Sequence, residues 1–445
     1  MHQAILNPLA QQVSRNLLCD DPEIEFRIQS GIETNRKGFG SLKLVDAGGG
    51  VIPKADVSFR LLRHEYRFGC NAFMLQQFKE PEKNARYEEI FGNLFNLAVL
   101  PFYWSDLEPE EGNPRFNINS TPVYRRPPPD LVLQFCDKYK ITPKGHLLCW
   151  HDFAPKWLPT ERRELEVRLE QRIQQIASRY SGKISIWDVA NEALQWNPAL
   201  HSLMPEHHVE SAFAMAQKYF PESTELLYND GPWVSWDSYR GDYTPLYMLV
   251  RHLLQKNLPI RGLGLQYHMF SKPSSMVDWA HQFINQRLIF ANLDQYAKLG
   301  LPINISEITI AANREFGDGD KFQELVAEKL YRIWFSHPST NGIIWWNLVD
   351  GTAAYAPLGS EEGENQYRGG LVSYDLEPKP VLKTLKNMIQ NEWTSSGSIS
   401  YEEGKINQFH GFYGDYELTI RTNSGAVRKM VTLAKNSKNE LKLTV

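Results

Sequence analysis

The sequence predicts an α/β protein: a (β/α)8 TIM barrel with small accessory β segments at both termini. Two observations support this prediction. Between residue 67 and about residue 390, eight short apolar runs alternate with amphipathic helical patterns, which is typical of a parallel sheet covered by helices. Before and after that region, apolar and polar residues alternate with a period of two, which is typical of half-buried strands.

Each of the eight apolar runs is too short for a helix, so each is predicted to be a buried strand. The runs cover residues 68–73, 97–104, 144–150, 184–189, 225–228, 262–267, 303–308 and 342–348. Helix signals lie between them: Thr160 is expected to cap a helix that ends near Gly182, and Thr244 with Pro245 is expected to begin another. Eight strand–helix units predict a closed barrel whose active site lies at the carboxyl ends of the strands.

The chain is predicted to contain three parts. They are a helix-like leader with a small β region (1–66), the barrel (67–394) and a C-terminal β segment (395–445). In the first part, the alternation of Ile24, Phe26 and Ile28 predicts a strand. Two isolated β pieces of this size cannot each bury an apolar face, so we expect them to pack together.

The composition excludes some classes of partner. The 445 residues carry a net charge of −4, with 22% charged residues, and no basic stripe of the kind that nucleic acid or an anionic membrane favours. No apolar run approaches the length of a membrane span, and the N-terminus has no secretion-type apolar segment. We expect no nucleic-acid and no membrane partner. We also expect a cytoplasmic location for the chain as given, or secretion if a signal peptide has been removed from it.

Cysteines and histidines give no sign of a disulfide framework or a metal site. The four cysteines form no CxxC pair, and Cys70 and Cys149 lie inside predicted strands, so we expect buried thiols there. His146 and His151 could serve as metal ligands, but five positions apart on a strand they face opposite sides. We therefore expect neither a metal nor a cofactor.

Two glutamates close two of the apolar runs. Glu192 follows the run at 184–189, and Glu307 lies in the run at 303–308. A carboxylate there is costly unless it points into a polar cleft at the end of the strand. For a lone glutamate, a salt bridge at the rim is the simpler explanation. Two of them on different strands match the pair of carboxylates, one acid and one nucleophile or base, that cleaves a glycosidic bond.

Five motifs surround these glutamates in barrel order. They are GHLLCWH with PKWL (145–151 and 155–158), WDVANEA (187–193), YND (228–230), GLQYH (264–268) and SE (306–307). Together they resemble the family 10 glycoside hydrolases, which are (β/α)8 xylanases with catalytic glutamates on strands four and seven. The resemblance covers roughly residues 67–390. It implies a retaining two-glutamate mechanism acting on an oligosaccharide, a polysaccharide or a glycoside.

The resemblance also implies a role for each matching residue. Glu192 matches the general acid/base, Glu307 matches the nucleophile, and Asn191 matches the residue that hydrogen-bonds the sugar 2-hydroxyl. Asp188 matches a position that we expect to be structural. The other residues expected to contact substrate are His151, Gln266, His268, Trp346, Trp157, Tyr103, Trp104 and Asn229.

The chain departs from the family pattern at three places. Ordinary members carry Glu-Asn-x-x-Lys-Trp at the end of strand two, where Val99, Leu100 and Tyr103 replace the Glu, Asn and Lys. Residues 353–355 (Ala-Ala-Tyr) stand where a second platform tryptophan is expected. Thr309 replaces an aspartate that would brace the histidine of strand six.

These replacements remove hydrogen bonds to a second sugar but keep the catalytic pair, and such losses change specificity more than chemistry. We therefore predict a retaining β-glycosidase that is xylanase-like but shifted toward short, aryl-linked or decorated β-glycosides, hexosides among them. One alternative is a non-catalytic carbohydrate-binding barrel, against which both glutamates and Asn191 argue. The other alternative is an ordinary endo-β-1,4-xylanase.

Overall fold

The computed structural model describes residues 6–195, 204–205 and 207–445. Its strands are β1 (Lys37–Val45), β2 (Lys54–His64), β3 (Arg67–Asn71), β4 (Leu97–Pro101), β5 (Thr142–Cys149), β6 (Ile186–Asn191), β7 (Glu225–Asp230), β8 (Gly262–His268), β9 (Ile303–Thr309), β10 (Thr340–Trp345), β11 (Ser396–Glu402), β12 (Gln408–Phe412), β13 (Gly414–Thr422), β14 (Gly425–Leu433) and β15 (Glu440–Thr444).

The α-helices of the described ranges are Pro8–Leu18, Pro22–Arg36, Pro81–Leu94, Trp104–Leu107, Pro129–Tyr139, Arg162–Tyr180, His208–Tyr219, Pro232–Ser235, Pro245–Gln255, Pro273–Phe283, Gln286–Ala297, Gly319–Ser336 and Pro380–Asn387. Shorter helical turns lie at Ser238–Tyr243, Arg314–Phe316, Gly363–Tyr367 and Met388–Glu392. None of these helices combines the length and apolar character that crossing a membrane requires.

Strands β3 to β10 form a closed barrel in the order β10-β3-β4-β5-β6-β7-β8-β9. From β3 to β10, successive strands pair in parallel, and helices connect them along the chain, which confirms the predicted (β/α)8 fold. In barrel order, β6 is the fourth strand and β9 is the seventh. The barrel belongs to a compact unit made of Phe68–Trp334, Ser339–Leu382 and the N-terminal residues up to Asp20.

The barrel strands are apolar on both faces because helices cover the outside and side chains fill the inside. Every residue of β4, β6, β8 and β9 is buried. One buried cluster combines side chains from strands on opposite sides of the barrel, so it forms the barrel interior. Its members are Phe73, Leu97, Val99, Tyr103, Ile186, Leu227, Ile344 and Trp346.

A second compact unit comprises Asp21–Arg67, Phe335–Pro338 and Lys383–Val445. It contains two sheets, with the strand orders β12-β1-β15 and β11-β2-β13-β14. Ser41 of β1 pairs with Glu440 of β15, and β2 pairs with both β11 and β13. The backbone hydrogen bonds of the two N-terminal strands are therefore completed by C-terminal strands.

The predicted strand at Ile24, Phe26 and Ile28 is wrong, because the helix Pro22–Arg36 covers it. Asp21 caps this helix by accepting a hydrogen bond from the amide of Ile24 at 3.4 Å. Ile24 and Ile28 are buried, whereas Phe26 is 72% exposed. Residues four apart share a helix face, so Ile24 and Ile28 follow a helical period. The exposed Phe26 between them made the pattern look like the alternation of a strand.

Candidate active site

Glu192 reaches the site through the turn that ends β6. Its backbone adopts the left-handed conformation, with φ 52°, which costs a non-glycine residue on the order of 1–3 kcal/mol. In this turn its amide donates to the carbonyl of Asn229 at 2.9 Å. Its Oε1 accepts a hydrogen bond at 2.7 Å from Gln266 Nε2, which belongs to β8, the sixth strand of the barrel.

Glu307 lies in β9 and is only 4% exposed. Its Oε1 accepts hydrogen bonds from Asn229 Nδ2 at 2.8 Å and from Gln266 Nε2 at 3.2 Å. Its Oε2 lies 3.3 Å from His268 Nε2. A carboxylate has enough lone pairs to accept several hydrogen bonds at once, so these contacts fix the position of both oxygens.

The surroundings of Glu192 favour its protonated form. Burial, followed by the charge of Glu307, raises the pKa of Glu192 to about 8, although the hydrogen bond from Gln266 opposes the shift. Asp230 contributes in the same direction as Glu307. Glu192 therefore keeps its proton at neutral pH, as a general acid must.

Asn229 links the strands that carry the two glutamates. Its Nδ2 donates to Glu307 Oε1 at 2.8 Å and to Asn191 Oδ1 at 2.7 Å, and its Oδ1 accepts from Ser306 Oγ at 2.5 Å. The oxygen of Asn191 is thus occupied. Its amide NH2 group bonds to Glu192 and has a second hydrogen that can meet a sugar hydroxyl.

A hydroxyl group, not a carboxylate, braces His268. Its Nδ1 lies 2.9 Å from Thr309 Oγ1, and its ring stacks on Phe270 with centroids 4.5 Å apart and planes 8° apart. Thr309 is the residue that replaces the aspartate of the family pattern. It orients the histidine beside Glu307 without adding a negative charge.

His146, which the sequence analysis did not assign to the substrate, also lies beside Glu307. Its Nδ1 is 2.9 Å from Asp188 Oδ2, and its Nε2 is 3.9 Å from Glu307 Oε1. Lys144 Nζ binds the same Asp188 oxygen at 2.9 Å. Burial alone would raise the pKa of Asp188, but Lys144 and His146 outweigh it and hold the pKa below its ordinary value. Asp188 therefore positions His146, in agreement with its expected structural role.

A signal for His146 was present in the sequence. The apolar runs at 144–150 and 184–189 each contain a charged or polar residue, His146 in the first and Asp188 in the second. In the structure these two residues are paired across β5 and β6. Both side chains are buried, and buried polar groups usually bond to each other. The polar residues inside adjacent predicted strands therefore indicated a contact.

Aromatic rings surround His146. The Trp346 ring lies 5.4 Å from the His146 ring and 5.3 Å from the Phe73 ring, and the Tyr103 ring lies 5.5 Å from His146, all between centroids. Trp346 also lies 6.1 Å from His268. Trp346 and Tyr103 thus lie beside the histidines that neighbour Glu307, and their rings form an apolar side of the site.

The other expected substrate residues are His151, Trp104 and Trp157. His151 is buried beside Trp150, with ring centroids 6.1 Å apart. Trp104 and Trp157 line a cavity of about 730 Å³ together with Glu108 and Arg172. Both indoles bond to Glu108: Trp104 Nε1 donates to its Oε2 at 3.1 Å, and Trp157 Nε1 donates to its carbonyl at 2.9 Å.

The expected contact of Trp104 and Trp157 with substrate stays a prediction, and the structure shows how Trp104 is held. Trp104 begins the short helix Trp104–Leu107, and the guanidinium of Arg172 lies over its ring at 5.0 Å. The indole therefore packs against the helix Arg162–Tyr180, which carries Arg172. Within the described ranges, no three His, Cys, Asp or Glu residues are grouped to hold a metal ion.

The fold and the paired glutamates are those of the barrel-type glycoside hydrolases. The chain belongs to glycosyl hydrolase family 10, whose model matches residues 71–387. It is 26% identical over 347 residues to endo-1,4-beta-xylanase 2 of Arabidopsis thaliana, covering 76% of this chain and 29% of that protein. It is 28% identical over 277 residues to endo-1,4-beta-xylanase A of Caldicellulosiruptor sp. (strain Rt8B.4), covering 55% and 36%. The matches thus span about a third of these two relatives.

A solved structure shares the fold. Xylanase 10B from Thermotoga petrophila RKU-1, in complex with xylobiose, superposes with a TM-score of 0.57 and 21% identity. The match covers 74% of this chain and 95% of that one. At this identity the likeness supports the barrel architecture.

Proposed function

We propose that the protein is a retaining β-glycosidase of the xylanase type, with a specificity shifted toward short, aryl-linked or decorated β-glycosides. One observation carries the proposal: Gln266 Nε2 bonds to Glu192 Oε1 at 2.7 Å and to Glu307 Oε1 at 3.2 Å. A single amide nitrogen thus holds an acid and a nucleophile side by side.

The shared amide limits the distance between the two carboxyl groups. Their Oε1 atoms can be no farther apart than the sum of their distances to Gln266 Nε2. That limit holds for the two facing oxygens, and it is shorter than the roughly 6.5–9.5 Å that separates the carboxyl groups of an inverting enzyme. It accommodates the roughly 5–5.5 Å of a retaining pair. The geometry supports direct attack by Glu307 on the sugar.

The proposed reaction has two displacements. In the first, an oxygen of Glu307 forms a bond to the anomeric carbon, the bond to the leaving oxygen breaks, and Glu192 gives its proton to that oxygen. In the second, water attacks the same carbon, the ester bond to Glu307 breaks, and Glu192 takes a proton from the water. Two inversions retain the β configuration.

The electrostatics of the pair support the change of role of Glu192. The charge of Glu307 is the second cause, after burial, of the raised pKa of Glu192. The ester removes that charge, so the pKa of Glu192 falls after the first displacement. Glu192 then releases its proton more readily and can serve as the base for the incoming water.

We expect kcat/KM to fall as the pH rises through about 8, because the pKa of Glu192 in the free protein is about 8 and only its protonated form can act as the acid. The measurement is the pH profile on an aryl β-glycoside whose leaving group needs a proton. A dinitrophenyl glycoside, which leaves without one, is the control and should lose this alkaline limb. An alkaline limb below about pH 6 on the first substrate would contradict the assignment.

The replaced residues at the end of β4 support the shifted specificity. Val99 and Leu100 have aliphatic side chains that are 1% and 0% exposed, so they offer a sugar no hydrogen bond. Tyr103 is 5% exposed, and the guanidinium of Arg126 covers its ring at 3.7 Å. None of the three supplies the charged or amide group that the family pattern places there.

On unsubstituted xylan we expect turnover at least about 10-fold slower than on an aryl β-xyloside or β-glucoside, because each lost hydrogen bond is worth roughly 0.5–3 kcal/mol. Reducing-end release from xylan and chromophore release from the aryl glycosides are the two measurements. The xylanase names of the relatives make xylan the natural comparison. Rapid conversion of xylan to xylobiose and xylotriose would show an ordinary endo-xylanase instead.

A further inference from the structure

Resting on the proposed glycosidase function, we propose that the cleft is closed on the glycone side, so that the protein removes single sugars from the non-reducing end of its substrate. The wall is a contact between two loops, formed by Tyr355, Asp152 and Phe153. Nothing in the family assignment or the fold requires it.

The chemistry of the pair defines which side is the glycone side. Glu192 must reach the oxygen that joins the two sugars, so the leaving group lies on the side of β6. The sugar that is transferred to Glu307 extends the other way. In barrel order, β10 lies four strands from β6, so the glycone lies toward β10, its neighbour β3 and the next strand, β4. The Trp346 ring beside His146 marks that side.

The contact crosses this side of the barrel mouth. Tyr355 follows β10, and its hydroxyl donates to Asp152 Oδ2 at 3.2 Å. Its ring stacks on Phe153 with centroids 5.7 Å apart and planes 27° apart. Asp152 and Phe153 follow β5, and the ends of β3 and β4 lie between β10 and β5. The loops therefore meet over the ends of β3 and β4, where a second glycone sugar would lie.

Arg126 packs against the Tyr103 and Phe153 rings. Its guanidinium lies 3.7 Å from the Tyr103 ring centroid and 5.1 Å from that of Phe153. Its Nε donates to Asp106 Oδ2 at 2.8 Å. Phe153 itself packs on Tyr103 at 4.8 Å. The Tyr103 and Phe153 rings are thus in contact with each other. The Arg126 guanidinium, which packs on both rings, is already paired with Asp106.

Arg125 ties the same segment to the loop after β10. Its Nη1 donates to Asn347 Oδ1 at 2.8 Å and to the carbonyl of Thr352. Next to it, the hydroxyl of Tyr124 donates to the carbonyl of Ala353 at 3.4 Å. The loop that carries Tyr355 is therefore held at its base by the buried Arg125 and by Tyr124.

The test uses the full chain and two matched substrates. One is an aryl β-glycoside with a single sugar, and the other carries a second β-1,4-linked copy of that sugar at its non-reducing end; xylose and glucose pairs are both used. A closed glycone side predicts that the two-sugar substrate loses its terminal sugar first and releases the chromophore only after a lag. Immediate release of chromophore together with a disaccharide would overturn the proposal.

Tyr355 is the residue to vary, because it is 72% exposed and its removal leaves the barrel interior untouched. In Y355A, direct chromophore release from the two-sugar substrate should rise at least about 5-fold relative to the one-sugar substrate. Y355F keeps the ring but loses the bond to Asp152, and should shift the same ratio less. Y243A removes a tyrosine that is 79% exposed and absent from the wall, and should leave the ratio unchanged.

The outcomes separate the two proposals. If neither substrate is cleaved, the proposed glycosidase function fails. If both are cleaved and the wild-type protein shows no lag, only the closed glycone side fails. A folded Y355A whose ratio equals that of the wild type would show that Tyr355 is not the wall. If Y355A lowers Tm sharply, the ratio of chromophore release from the two-sugar and one-sugar substrates is measured in Y355F instead. A ratio in Y355F equal to that of the wild type would then exclude Tyr355 as the wall.

Discussion

Replacing Glu307 by glutamine is expected to lower kcat on an aryl β-glycoside by at least about 10³-fold, or about 4 kcal/mol of transition-state stabilisation. Glutamine has nearly the same shape, but it cannot form the glycosyl ester. Its carbonyl oxygen can still accept from Asn229 Nδ2 and Gln266 Nε2, which donate to Glu307 Oε1, and its NH2 group then faces His268 Nε2. The loss should therefore appear in the chemical step.

The control for this variant is E361Q, because Glu361 is an exposed member of a surface ion pair with Arg314 and such pairs contribute little. A slow-turnover fluoroglycoside should attach to Glu307 in the wild type and should fail to attach in the variant, as read by mass spectrometry. An E307Q protein that folds and keeps more than about a tenth of the activity would remove Glu307 from the mechanism.

Replacing Glu192 by alanine is expected to lower kcat/KM by about 10²–10⁴-fold on an aryl glycoside with a poor leaving group. On a dinitrophenyl glycoside the first displacement should be nearly unaffected, because that leaving group needs no proton. The second displacement lacks its base, so the ester on Glu307 should accumulate and give a burst of dinitrophenol.

Added azide sharpens this test. Azide needs no base, so it should restore turnover of E192A on the dinitrophenyl substrate and yield the β-glycosyl azide. E222A is the matched control, since the Glu222 side chain is 95% exposed. Its activity on both aryl glycosides should equal that of the wild type, and azide should not change it. Formation of the α-glycosyl azide, or equal losses on both substrates, would contradict an acid/base role for Glu192.

The barrel could be predicted from the sequence because its strands are short, buried on both faces and separated by capped helices. These are local signals. At Ile24 the local signal was ambiguous, because Ile24 and Ile28 suit either a period of two or one of 3.6. Asp21 caps the helix at its N-terminus, and this helix-start signal was the better guide than the apparent alternation of apolar residues.

The site was less predictable because its contacts join residues that are far apart in the sequence. The bond between Thr309 and His268 shows that the missing aspartate has a substitute, which no local pattern indicates. Trp104 lies in a family-like segment, yet the helix it begins carries its indole to Glu108. The contact between Tyr355 and Asp152 depends on two loops meeting across the barrel mouth, and only the structure shows it.

The two sheets of the second unit have a consequence for how the protein is made. β1 lies between β12 and β15, and β2 lies between β11 and β13, so both early strands are completed by strands that are synthesised only after the barrel. At roughly 5–20 residues per second, they wait on the order of tens of seconds for these partners. During that interval each presents two unpaired edges, which are templates for wrong pairing. The step most exposed to aggregation during synthesis is therefore the closing of these sheets, after the barrel strands have all emerged.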